Sequence, residues 1–210
     1  MAVFSMFNGI EENDVKKMLT CFEAKRLHFK KDSTILSNIA NNTQVGVIES
    51  GSAIIIRYNY NGSRTIIEKL TEGDTFGSFS QAYTEELYVV SENETDVILF
   101  NYDKMINRCK KNCEYHNQII DNMLQVLSQK MQNYNERIEV LTKKTIRDKL
   151  LAYFNILTKK QISKNITLPF NLTDLADYLS IDRSAMMREI KNLKEEGLIE
   201  AKGKKILLKY

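Results

Sequence analysis

The sequence predicts an α+β protein in which a strand-rich amino-terminal roll leads into one long helix and then a carboxy-terminal helix-turn-helix with a β-hairpin wing. Three observations carry this. Short runs of β-branched and aromatic residues separated by turn residues fill Glu23 to Phe100. Apolar residues then recur at alternating spacings of four and three, and two cappable helical segments follow Asn171.

A chain of 210 residues exceeds the usual single-domain size. The expected parts are 1–110, 111–142 and 143–210. Apolar residues make up 43% and charged residues 27%, the profile of a folded globular protein rather than a disordered one. No stretch nears about 18 uninterrupted apolar residues, and the first twenty carry Glu11, Glu12 and Asp14 without a signal-peptide pattern. The expectation is a cytoplasmic protein that does not engage membranes. Cys21, Cys109 and Cys113 are an odd number, so free thiols are expected rather than a disulfide framework.

Charge is informative once divided. From Thr142 to Tyr210 there are 15 Lys and Arg against 8 Asp and Glu, a net +7, whereas the remainder holds 15 against 19, a net −4. One basic end beside an acidic body is the layout expected of a protein that meets phosphate.

In the roll, the clearest strands lie between Val45 and Tyr58, broken at Ser50-Gly51. Asn61-Gly62 then predicts a tight hairpin turn with both central residues at positive φ, and Arg64 to Glu68 is the returning strand. Glu72-Gly73-Asp74-Thr75-Phe76-Gly77 places glycines where the backbone must turn or approach something closely. An irregular stretch, Ser78 to Glu86, precedes strands at Leu87–Ser91 and Thr95–Phe100. Such an insert is either an ordinary surface loop or a place to hold a ligand.

The long helix carries a heptad seam of Ile120, Leu124, Leu127, Met131, Tyr134, Ile138 and Leu141. At 1.5 Å per residue the helical run is about 42 Å long, more than a small domain needs. Ile119, Met123 and Val126 fall on an adjoining face. The helix is therefore expected to pack on its own domain with one face and on a symmetry mate with the seam, giving a parallel homodimer.

In the last third, Asn171 caps a helix and Asp174 can reach back as in a capping box, with Leu172, Leu175, Ala176 and Leu179 buried. Ser180-Ile181 makes the turn. Asp182 caps a second helix that buries Met186, Ile190 and Leu193 and leaves Arg183, Ser184, Met187 and Arg188 outward. Small Ala176 permits the close helix crossing. A helix fits the major groove and arginine bonds guanine bidentately, so Arg188 is expected to read bases, Arg183 and Ser184 to contact base or phosphate, and Met187 to meet a thymine methyl. The hairpin beyond Gly197 holds Lys202-Gly203-Lys204 at its tip, where Lys202 and Lys204 suit phosphate.

The order of Gly73-Asp74-Thr75-Phe76-Gly77, the heptad helix, Leu175 to Ser184 and Arg188 to Ile199 resembles the family of the cyclic AMP receptor protein and the fumarate and nitrate reduction regulator, the Crp/Fnr family. The resemblance implies a cyclic-nucleotide-binding-like β-roll (jelly roll), a dimerisation helix and a winged helix-turn-helix whose second helix reads an operator. It also implies an effector pocket at Gly77 and Ser78, with Tyr134 and Asn135 of the long helix. Members that bind cyclic AMP have Gly-Glu and Arg-Ser pairs there. Here Gly77-Ser78 and Glu85-Glu86 stand instead, and no arginine occurs from Gly77 to Phe100. Two carboxylates would repel a phosphate, so cyclic AMP is not the expected effector. The amino-terminal cysteine cluster of iron–sulfur members is also missing. Cys109 and Cys113 are read as incidental thiols, and His28 and His116 are too isolated for a haem or zinc site; no metal or cofactor is expected.

The expected function is a transcription regulator that binds a pseudo-palindromic promoter site as a homodimer. Double-stranded DNA is the partner, with RNA polymerase and a small-molecule effector left open. One rival is an effector-binding module acting through protein partners. An enzyme is the other, and no nucleophile–base pair, phosphate loop or ligand cluster supports it.

Overall fold

The computed structural model describes residues 5–37, 44–77, 87–106 and 115–210. The chain divides into two compact units, Met1–Gln129 and Lys130–Tyr210, with the boundary falling inside the long helix.

In the first unit a 3-10 turn at Ser5–Phe7 and helix α1 (Glu12–Cys21) precede eight strands among the described residues. These are β1 (Lys25–Phe29), β2 (Thr34–Leu36), β3 (Gln44–Ser50), β4 (Ser52–Tyr58), β5 (Arg64–Thr71), β6 (Thr75–Gly77), β7 (Leu87–Ser91) and β8 (Thr95–Asn101). Helices α2 (Tyr102–Ile106) and α3 (His116–Leu141) follow. The strands form two antiparallel sheets ordered β1-β8-β3-β6 and β2-β7-β4-β5, the predicted roll. Period-two alternation gives the first sheet two apolar faces. Ile48, Phe76, Val97 and Leu99 meet Ile55, Leu70 and Val89 of the second sheet. Val45, Val47, Ile98 and Phe100 cluster instead with Met6, Val15, Met18 and Phe22, and with Ile119 and Met123 of α3. The side chain of buried Asn122 donates to the carbonyls of Met6 (3.0 Å) and Asn8 (2.8 Å), tying the chain's start to α3.

The hairpin at Asn61-Gly62 forms with a different turn from the predicted one. Only Gly62 takes positive φ (+78°), and Asn59 and Ser63 close a three-residue loop. The Asn61 side chain accepts from the Ser63 N–H at 3.0 Å, an Asx turn that keeps Asn61 out of the left-handed region. Gly77 behaves as predicted, with φ +118° and its Cα so close to the next strand that a Cβ would sit 2.4 Å from the Gln44 carbonyl oxygen.

The second unit contains the last turns of α3, then α4 (Ile146–Gln161), β9 (Asn165–Thr167), α5 (Leu172–Leu179), α6 (Arg183–Glu195), β10 (Ile199–Lys202) and β11 (Lys205–Leu208). Its sheet runs β10-β11-β9, so the hairpin is anchored by a third strand that the sequence reading did not assign. Each helix start is capped. Thr145 Oγ1 accepts from the Asp148 N–H, Asn171 Oδ1 from those of Thr173 and Asp174, and Asp182 Oδ1 from that of Ala185 at 2.7 Å. Asp174 reaches back to the cap residue, its carboxylate accepting from the Asn171 side-chain amide. Buried Ala176 and left-handed Ser180 (φ +52°) form the tight corner between α5 and α6.

Two stability predictions follow from these contacts. Gly77→Ala should lower the unfolding free energy by about 2–3 kcal/mol, through strained φ and the clash with Gln44, measured as a urea midpoint shift at constant slope. Asp182→Ala removes the α6 cap and should cost about 1 kcal/mol in the same assay.

Candidate nucleic-acid interface

Helix α6 is held from behind and bare in front. Met186, Ile190 and Leu193 are buried against the unit's core. Arg147 of α4 reaches across to the same helix and its end: its Nε donates to Glu189 Oε1 at 2.6 Å, and its Nη1 and Nη2 donate to the two Glu196 oxygens at 2.9 and 2.5 Å. The bidentate pair with Glu196, then the bond to Glu189, raises the guanidinium above its already high ordinary pKa. Arg147 is thus committed to the fold.

The predicted reading residues are arranged the opposite way. Arg183, Ser184, Met187 and Arg188 are all exposed within the first two turns of α6. Among the described residues neither arginine has an acidic partner. Their positions near the capped amino terminus place them where a groove-docked helix meets base edges and phosphates.

The wing adds Lys202 and Lys204, both exposed around left-handed Gly203 (φ +60°). A third lysine, Lys205, lies opposite Lys202 in the strand register. The sequence reading missed it, although the run Lys204-Lys205 was in view. These lysines likewise have no acidic partner among the described residues, whereas Lys209, just after β11, pairs with Glu200 at 2.5 Å.

The heptad seam is also on the surface. Leu124 (58% exposed), Met131 (66%) and Ile138 (57%) stand out, and Ile120, Leu127 and Tyr134 are exposed as well. The adjoining face is covered, with Ile119 and Met123 buried and Val126 half-buried. Leu141 departs from the expectation: it is half-buried, because the helix's last turn already packs into the second unit, where neighbouring Val140 is buried.

The effector-pocket residues are not brought together within either unit. Gly77 belongs to the first and serves the close strand approach, while Tyr134 and Asn135 are exposed residues of the second. Ser78, Glu85, Glu86, Cys109 and Cys113 lie outside the described residues, as does the side chain of His116. His28 Nδ1 is 2.7 Å from Asp96 Oδ1 on the roll's surface. Among the described residues no three His, Cys, Asp or Glu side chains are grouped to hold a metal, and no helix is long and apolar enough to cross a membrane.

Comparison with known proteins agrees with this geometry. Residues 148–209 match the family model described as a Crp-like helix-turn-helix domain. No curated protein matches the sequence. Solved structures share the fold along almost the whole chain. The c-di-GMP responsive global regulator CLP of Xanthomonas campestris is 16% identical, with 94% of this chain and 99% of that one covered at a TM-score of 0.73. FixK2 of Bradyrhizobium japonicum is 18% identical, covering 89% and 93% at 0.65. A protein of Eubacterium rectale described as a transcriptional regulator of the crp/fnr family is 17% identical, covering 99% and 94% at 0.63. The chain therefore carries a Crp-like helix-turn-helix domain at residues 148–209 on the two-part fold of the Crp/Fnr regulators.

Proposed function

We propose that this protein is a sequence-specific transcription regulator that binds promoter DNA as a homodimer, with α6 in the major groove and the β10–β11 wing on the backbone. The observation that carries this reading is the contrast among cations of the second unit: Arg147 is neutralised by Glu189 and Glu196, while Arg183 and Arg188 stand exposed and without acidic partners among the described residues. A fold leaves two arginines unneutralised in the first turns of one helix at an electrostatic cost that an anionic partner relieves.

The seam supports the second copy. Six large apolar side chains in coiled-coil register face outward on α3, and pairing two such helices in parallel would bury them. Two α6 helices would then meet half-sites about one helical turn of DNA apart, reading a pseudo-palindrome. The protein acts by binding rather than catalysis, in the cytoplasm, and requires no cofactor; RNA polymerase is the neighbour it meets on a promoter. Cyclic AMP is not held here in the way family members hold it, since Gly77 is followed by Ser78 and the later pair is Glu85-Glu86.

Duplexes selected from a random pool test the DNA reading. Arg188→Ala should weaken binding by about 1–3 kcal/mol and relax the base preference at one position of each half-site. Lys202→Gln should weaken all sequences alike and reduce the slope of log affinity against log salt by about one per half-site. If both variants bind like wild type, a module acting through protein partners takes its place. The dimer reading is tested by Leu124→Glu with Ile138→Glu: the double variant should sediment as a folded single chain and bind the selected duplex about 100-fold more weakly.

A further inference from the structure

The second unit contains a link whose consequence is separate from DNA contact itself. Arg137 of α3 is buried, and its guanidinium lies 4.4 Å over the centre of the Tyr178 ring while Nη2 donates to the Tyr178 carbonyl at 3.1 Å. Tyr178 occupies the last turn of α5, directly before the corner that sets α6. Its ring is in turn fixed by stacking on Phe170 (centroids 4.7 Å apart) and by a tilted contact with the Tyr153 ring, whose centroid is 5.8 Å away. A second tie joins the same stretch of α3 to the end of α4, where Lys160 meets Glu136 at 2.7 Å and Asn133 at 2.8 Å.

The helical positions make these ties significant. Asn133, Glu136 and Arg137 point toward the winged unit, and Tyr134 and Ile138, their immediate neighbours, belong to the exposed seam. One turn of helix therefore carries both the surface offered to a second copy and the attachment of the DNA-reading pair. Of the two ties, the Lys160 contacts are partly exposed and end on flexible side chains, while the Arg137 contact is buried and grips backbone as well as ring.

We propose that Arg137 is the positioning residue that sets the distance between the two recognition helices, so that its contact with Tyr178 determines which half-site spacing the regulator accepts. This rests on the dimeric DNA-binding reading above. A guanidinium suits the task because its planar fork stacks on the ring and bonds the carbonyl in one fixed orientation, which neither an ammonium nor an apolar chain reproduces. Loss of that orientation leaves α5 and α6 intact as a reading pair but lets the pair tilt against α3.

The test uses the full-length protein and duplexes selected by wild type, resynthesised with the half-sites moved by one to three base pairs, alongside duplexes holding a single half-site. Wild type should favour its own spacing by about tenfold or more, while Arg137→Lys and Arg137→Met reduce that preference to about twofold with single half-site affinity unchanged. Both replacements keep a long apolar stem, and thermal melting verifies folding; if Arg137→Met does not fold, Arg137→Lys carries the test. Retention of the spacing preference in the folded variants overturns the proposal, as does an equal loss on single and paired half-sites, which marks Arg137 as a general support of the domain. If wild type binds no duplex, the DNA reading has failed and this proposal with it.

Discussion

Helix α3 has apolar residues on two faces, and within each unit the described residues cover only one of them. Ile119 and Met123 are buried in the first unit's core, and Arg137 and Val140 are buried in the second unit. The outer side, from Ile120 to Ile138, remains in contact with water. Half-covered apolar side chains of this size each leave on the order of 1 kcal/mol of burial unused. A chain that keeps six of them in one heptad stripe is built for a partner with the same stripe, and the proposed dimer is the arrangement in which the stripe is self-complementary.

The same division of labour governs the charges. Within the second unit, cations that hold the fold together are paired: Arg147 with Glu189 and Glu196, Lys160 with Glu136, Lys209 with Glu200. Cations on the proposed reading surface have no acidic partner among the described residues, and the Lys202–Lys205 rung even sets like charges opposite each other. Such a surface is poised for a polyanion, and its specificity rests with the few side chains on α6 that can reach base edges. Phosphate contacts give affinity without sequence, and the spacing of two α6 helices gives sequence its second coordinate.

Local signals made much of this legible in advance. The caps Asn171 and Asp182, the buried Met186, Ile190 and Leu193 stripe, and the strands at Leu87 and Thr95 all depend on residues within a few positions of one another, and the structure places them as read. The turn at Asn61-Gly62 was misjudged because an Asx hydrogen bond from Asn61 offered the backbone another route. Helix α4 and strand β9 went unassigned, although Thr145 and Asp148 form a capping signal. What stayed out of reach was long-range: the Arg147 network joins residues 42 and 49 positions apart, and Arg137 meets Tyr178 across 41. No spacing rule links such pairs before the fold is known.

The claim on which the rest turns is that the bare face of α3 holds two copies together on one DNA site. Native mass spectrometry of the complex with a selected duplex counts the chains directly. The account predicts two chains per duplex at protein concentrations where neither free single chains nor one-chain complexes persist. One chain per duplex, bound at full affinity, would contradict it.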